Sequence, residues 1–281
     1  MENNMARKKY NFIWILLIIV LGVVFAFSIY KIASTLYQYS EGERTYDSIA
    51  SDFVSFIPSE SEETTAPATS DDEALITGGS YTESPTITDD GKCPLTVDFD
   101  ALKAYNPDVI GWIYCKDTPI NYPILQSTDN DYYLRRLLNG KYNIAGSIFM
   151  DYRFKSDFSS LSAIIYGHNM NDDSMFGTFT NYKKQEYYDE HPIVWLLTPN
   201  GNYKLELFAG YVTSSTSEAY TQFVTDKDLY DYVQRAIAQS TFTSPVEFAE
   251  GDRIITLSTC SYEYSTARYV LIGKLVEEVI E

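Results

Sequence analysis

Nineteen consecutive residues without a charge, 12–30 (FIWILLIIVLGVVFAFSIY), constrain this chain before anything else. As a helix the run rises about 28 Å, roughly the hydrocarbon thickness of a bilayer. Arg7, Lys8 and Lys9 precede it and only Lys31 directly follows. The positive-inside bias therefore predicts a cytoplasmic N-terminus (1–11), one transmembrane helix (12–30) and a cell-membrane protein whose remainder is extracellular. A cleavable secretory signal shares the basic start but usually has an apolar run of about 7–15 residues. Ile29, Tyr30, Lys31 and Ile32 are poor cleavage neighbours, although Ala33 and Ser34 leave that option open; the expectation is an uncleaved anchor.

Beyond the span, residues 31–93 read as an extracellular tether. From residue 40 the composition turns to Ser, Thr, Pro, Gly and acids, with thirteen acids against Arg44 and Lys92. Such a segment repels itself and buries little. One interruption, 47–57 (DSIASDFVSFI), has apolar residues at helical spacing and is expected to form a short amphipathic helix. The whole chain carries a formal charge of −18, with no basic stripe, which argues against a nucleic-acid partner. Cys93, Cys115 and Cys260 are too few for a disulfide scaffold, and none sits in a Cys-x-x-Cys pair.

Residues 94–281 have the length of one folded domain. Strands are predicted at 109–114, 146–150, 161–166, 193–197, 203–212, 253–259 and 268–276, and helices at 98–104, 129–138, 175–182, 184–189 and 226–239. Strands outnumber helices, and their irregular order disfavours a doubly wound sheet. The expected class is mainly β with flanking helices, as a barrel or curled sheet.

Two stretches carry reactive side chains. In DRIITLSTCSYEYSTARYVLIGKL, Cys260 ends a buried-looking strand and Arg268 opens the next, placing both at one sheet edge. In AIIYGHNMND, His168 follows a short strand and Gly167. The other histidine, His191, precedes Pro192 after a charged helix, where His commonly caps or packs. Taken singly, a strand-end Cys is more often a small core residue, and an Arg at a strand start a surface ion-pair partner. Together, a thiolate, an imidazole and a guanidinium suit acyl transfer. The thiolate attacks a carbonyl, the imidazolium protonates the departing amine, and the guanidinium stabilises the oxyanion.

TLSTC with Arg268 eight residues on, and YGHN upstream, resembles a class B sortase. The likeness extends through NPDVIGWI, INYPILQSTDNDYYL, GSIFMDYRF, MFGTF and HPIVWLLTP, in the family's order. The resemblance implies an eight-stranded sortase-type β-barrel with extra N-terminal helices, in a cysteine transpeptidase of Gram-positive bacteria. Such an enzyme cuts an LPxTG- or NPxTN-like sorting signal of a surface protein after its Thr, then joins that Thr to an amine of a peptidoglycan precursor or cell-wall peptide. Carried over, Cys260 is the nucleophile, His168 the general acid and later base, and Arg268 the oxyanion ligand. Asn130, Leu134 and Ser258 match groove positions. Thr216 and Tyr220 would lie on the same groove, and Glu263 would take an electrostatic role because Ser261 replaces an acid found directly after the nucleophile in some members.

No cofactor or metal is expected, and turnover should not depend on calcium. Alternatives remain open at this point: a cysteine peptidase with water as acceptor, a pilin-polymerising sortase, or a non-catalytic surface module in which TLSTC is only a core strand.

Overall fold

The computed structural model describes residues 2–57 and 92–278, with side chains from residue 14. Helix α1 (Glu2–Phe53) runs through the apolar stretch without a break and continues well past it. Among the described residues it is the one helix long and apolar enough to cross a membrane. Its side chains are exposed from Trp14 to Tyr30. Further along, Tyr46 and Ile49 are buried, and Tyr39, Ala50 and Phe53 pack beside them on the domain core.

Part of the stretch expected as tether is thus ordered structure: helix to Phe53, then strand β1 (Val54–Phe56) paired antiparallel with β2 (Leu95–Val97). The reason is the helical spacing of Tyr39, Tyr46, Ile49 and Phe53, which makes one apolar stripe inside an acid-rich composition. The amphipathic segment expected at 47–57 is the end of α1 followed by β1, rather than a separate helix. Residues 58–91 of the expected tether lie outside the described residues.

Asp98 caps α2 (Phe99–Tyr105) by accepting from the Ala101 amide, and the helix ends at Asn106, before Pro107. Eight strands then close a barrel: β3 (Val109–Tyr114), β4 (Asn121–Leu125), β5 (Ile148–Met150), β6 (Ser162–Tyr166), β7 (Ile193–Thr198), β8 (Gly201–Ser214), β9 (Ile254–Cys260) and β10 (Ala267–Glu277). Their order around the barrel is β10-β8-β7-β3-β4-β5-β6-β9. Neighbours are antiparallel except β4–β5 and β6–β9. Trp112, Ile124, Leu125, Ile148, Ile165 and Leu257 are fully or almost fully buried in the main core.

Helix α3 (Gln185–Glu190) leads into β7, and α4 (Asp226–Gln239) covers the outer face of β8 and β10. Leu229, Tyr232, Val233 and Ala236 bury the apolar stripe of α4 against Phe208, Tyr211, Val270 and Ile272. Two expected helices are shorter and tighter. Within 129–138 only the 3-10 turn Tyr133–Arg135 forms, because the Asp129 carboxylate accepts from the amides of Asp131 and Tyr132 and competes with helical pairing. Within 175–182 the chain adopts a 3-10 turn, Gly177–Lys183. Strand β4 was not anticipated because it contains Pro123. Its pairing with β5 begins at Ile124, so the missing N–H leaves no gap on that side.

Candidate active site

Strand register brings the reactive residues together. Cys260, the last residue of β9, is directly opposite Arg268, the second residue of β10. Directly opposed residues have Cα atoms about 4.5–5.5 Å apart and side chains on the same face. On the other side of β9, β6 runs parallel with Tyr166 opposite Ser258, and the Gly167 amide donates to the Ser258 carbonyl at 3.1 Å. Two residues beyond Tyr166, the chain reaches the level of Cys260 carrying His168.

Gly167 is required at this crossing. A Cβ there would lie 2.6 Å from side-chain atoms of both Ile148 and Phe176. The loop after it is tied down by Asn169, whose amide donates to the Cys260 carbonyl at 2.8 Å, and by the Phe176 amide, which donates to the His168 carbonyl at 2.9 Å.

Cys260, His168 and Arg268 line one open cleft of about 260 Å³, together with Asn130, Leu134, Ser258 and Tyr220. The Asn130 side-chain carbonyl accepts from the Tyr152 amide at 3.2 Å, and Leu134 projects from the Tyr133–Arg135 turn. Ser258 and Tyr220 join their hydroxyls at 2.7 Å. Arg268 spends one guanidinium N–H on the Ala267 carbonyl at 2.9 Å. A guanidinium has five N–H donors, so others remain for a bound carbonyl.

The imidazole of His168 is held by Nε2 against the Leu134 carbonyl at 2.8 Å. Burial pushes its pKa below the ordinary value; the Leu134 carbonyl opposes that shift, while Arg135 and Arg268 add to it. His191 instead packs on Tyr187, with ring centroids 4.5 Å apart, and does not line the cleft.

Thr216, expected on the groove, and Glu263, expected in an electrostatic role, do not line it. Side chains alternate along β8, and Thr213 is opposite Arg268, so Ser215 follows on the cleft face while Thr216 turns away to the Ser214 hydroxyl at 3.2 Å. Glu263 pairs with Lys183 and accepts from the Ser261 hydroxyl. Lys183 and Ser261 hold its carboxyl down to about 2. Ser261 follows Cys260 and faces away from the cleft by the same alternation, and Glu263 goes with it.

Sequence reading also missed Phe149, Tyr166, Gly167, Ser215 and Thr259, which border the cleft. Tyr166 was within reach, since it lies two residues before His168 on a strand. Phe149 and Ser215 depend on neighbours set by barrel closure, which no local pattern announces.

An ion pair with a buried carboxylate backs the wall. The Asp151 side chain is wholly inaccessible and accepts from Arg153 Nε at 2.9 Å, Arg153 Nη2 at 2.7 Å and the Tyr166 hydroxyl at 2.9 Å. Burial works against its charge, yet these donors prevail and its carboxyl stays below the usual range. Arg153 also donates to the Tyr220 carbonyl at 3.3 Å, and the Tyr166 and Tyr220 rings lie parallel within 7°, centroids 6.3 Å apart.

The other two thiols are free and buried. Cys93 lies against the Leu95 carbonyl and Cys115 against that of Ile193. Burial raises them to about 12 and about 11. Among the described residues, no group of three or more His, Cys, Asp or Glu is arranged to hold a metal ion.

Comparison with known proteins agrees with this architecture. The Sortase domain model matches residues 113–276. Sortase B of Listeria monocytogenes is 44% identical over 180 residues, 62% of this chain and 72% of that protein. Sortase B of Staphylococcus aureus is 36% identical over 183 residues, 64% and 75% respectively. Among solved structures, the Staphylococcus aureus sortase B–substrate complex superimposes with a TM-score of 0.61 at 33% identity, covering 64% of this chain and 85% of that one. A closed eight-stranded barrel, a single cleft-lining cysteine and matches of this extent lead to one conclusion: the chain belongs to the sortase family and is a cysteine transpeptidase of the sortase B type.

Proposed function

We propose that this chain is a membrane-anchored transpeptidase that cleaves an LPxTG- or NPxTN-like signal on surface proteins after its Thr. The thiolate of Cys260 attacks the Thr carbonyl, and a free guanidinium N–H of Arg268 receives the developing oxyanion. His168 as imidazolium protonates the departing amine, leaving a thioacyl-enzyme. A cell-wall peptide amine then attacks the thioester, His168 accepts its proton, and the thiolate leaves. Asn130, Leu134, Ser258 and Tyr220 are the proposed groove residues.

The observation that carries this reading is the pairing of Cys260 with Arg268 across adjacent strands, beside His168 in the same cleft. Supporting it, Cys93 and Cys115 are buried thiols whose acidity burial suppresses, which leaves Cys260 as the thiol bordering open space. The exposed apolar length of α1, with Arg7, Lys8 and Lys9 before it, supports an anchor with a cytoplasmic N-terminus and an extracellular barrel.

The test is intact mass of the full chain in detergent after mixing with LPxTG-type and NPxTN-type peptides, with and without an amine. The expected result is an acyl adduct on Cys260 that the amine converts to a ligated peptide. Hydrolysis unaffected by any amine would indicate a peptidase, and absence of adduct with every peptide would overturn the proposal.

A further inference from the structure

The turn that carries the Leu134 carbonyl, and with it His168, is tied through residues 143–147 to the helix that emerges from the apolar span. A chain of hydrogen bonds makes the connection. The Tyr46 hydroxyl of α1 lies 2.7 Å from the Gly146 carbonyl and 2.8 Å from the Ser147 hydroxyl, a buried site 100 residues away in sequence. Ser147 donates its hydroxyl to the Arg136 carbonyl at 2.7 Å and its amide to the Tyr133 carbonyl at 3.0 Å, so it grips both ends of the turn containing Leu134. Gly146 lies flat on that turn: a Cβ on it would be 2.6 Å from the Leu134 carbonyl oxygen and 2.8 Å from that of Tyr133. Its φ of +58° is one a side chain disfavours.

A second strap runs parallel. The Gln38 backbone carbonyl of α1 accepts from the Asn143 side-chain amide at 2.8 Å, and the Gln38 side chain accepts from the Ile144 amide at 3.2 Å. The Asn143 backbone N–H donates to the Arg135 carbonyl at 3.0 Å. Both straps converge on residues 133–136, the segment whose carbonyl fixes the imidazole.

We propose that Tyr46 is a positioning residue for His168, acting through Gly146, Ser147 and the Leu134 carbonyl, so that docking of the juxtamembrane helix sets the imidazole's orientation. The consequence for turnover rests on the catalytic role proposed for His168; the structural link does not. With Tyr46 in place, the turn presents one carbonyl to Nε2 and selects the tautomer that carries the proton there, leaving Nδ1 for exchange with the reacting groups. Without its hydroxyl, the Gly146–Ser147 segment loses a buried partner and the turn can shift by tenths of an ångström, enough to misplace the imidazole.

The test uses the full chain in detergent micelles, with Tyr46→Phe, which keeps the ring and removes the hydroxyl. Ile49→Val, a smaller change on the same buried face, controls for mere loosening of the helix. The chain has only two histidines, so 15N-histidine labelling gives two imidazoles, with His191 as internal reference. Expected in Tyr46→Phe are an altered or exchange-broadened His168 Nε2 signal, an unchanged His191 signal, and an acylation rate at saturating peptide lowered roughly three- to tenfold. Ile49→Val should leave the His168 signal and the rate unchanged.

A Tyr46→Phe protein with a wild-type His168 signal and wild-type acylation would overturn the inference, whatever its thermal stability. If both variants change His168 alike, helix packing in general rather than the hydroxyl is responsible, and the inference also fails. Full activity in His168→Gln would sink the catalytic role of His168 while leaving the spectroscopic test of the link intact.

Discussion

The two halves of the cleft are built differently. On one side, Cys260 and Arg268 are fixed by a β9–β10 ladder of seven registered pairs, continuous with a fully buried barrel wall. On the other, His168 stands on a loop, and its ring is fixed by a single carbonyl on a three-residue 3-10 turn. The proposed nucleophile and oxyanion donor thus inherit the stability of the barrel, while the proposed acid depends on contacts that can loosen without unfolding. Precision on the loop side comes from elsewhere: from Asn169 on Cys260, from the Asp151–Arg153 pair behind Tyr166, and from α1.

Replacing Cys260 by Ala should abolish the acyl adduct completely while leaving the melting temperature nearly unchanged, since the side chain is small and only half buried. Residual adduct by mass spectrometry would move the chemistry to another group. His168→Gln should lower acylation by about 10²–10⁴-fold, the usual worth of a placed general acid. Arg268→Lys keeps charge but not the planar fork, and should cost about 10²-fold with little change in peptide affinity. An arginine effect larger than that of the histidine would reverse the ranking of the two sides.

Asp151→Asn tests the backing of the loop side. It should lower stability by about 2 kcal/mol, discounted because Arg153 is partly exposed and can turn to water. The carboxyl of Asp151 is depressed in the folded protein, so its contribution is complete above the unfolded value of about 3.9 and vanishes as pH falls through the lower folded value. Thermal melts of wild type and variant should therefore converge in strong acid. A smaller effect concerns His168. Its depressed pKa means the unfolded chain binds the proton first, so stability begins to fall below about pH 6.5. His168→Gln should flatten that part of the melting profile; identical slopes would show that the imidazole is not held as described.

The same division decides what could be read from the sequence. Strands β3, β7 and β9 and helix α4 follow local patterns closely, and the cysteine–arginine pairing follows from two strands joined by a polar turn. Thr216 and Glu263 do not line the cleft, because the face of a loop residue depends on where the strand before it stops. β8 runs to Ser214 and β9 to Cys260, which turns Thr216 and Ser261 away. The docked end of α1 was hidden for another reason. Its stripe has no meaning without the surface it meets, and that surface comes from residues about a hundred positions later.

That unbroken helix has a geometric consequence. With its apolar stretch in a bilayer, α1 acts as both ruler and compass: each residue between Tyr30 and Gln38 adds about 1.5 Å of height and about 100° of rotation to everything beyond it. A one-residue insertion there would hardly raise the barrel but would swing the cleft's mouth to another compass bearing. An insertion of seven residues, close to two full turns, would lift it by about 10 Å and nearly restore the bearing. On the proposed anchoring, the direction from which a substrate must arrive is written in the helical phase of a segment that never touches it.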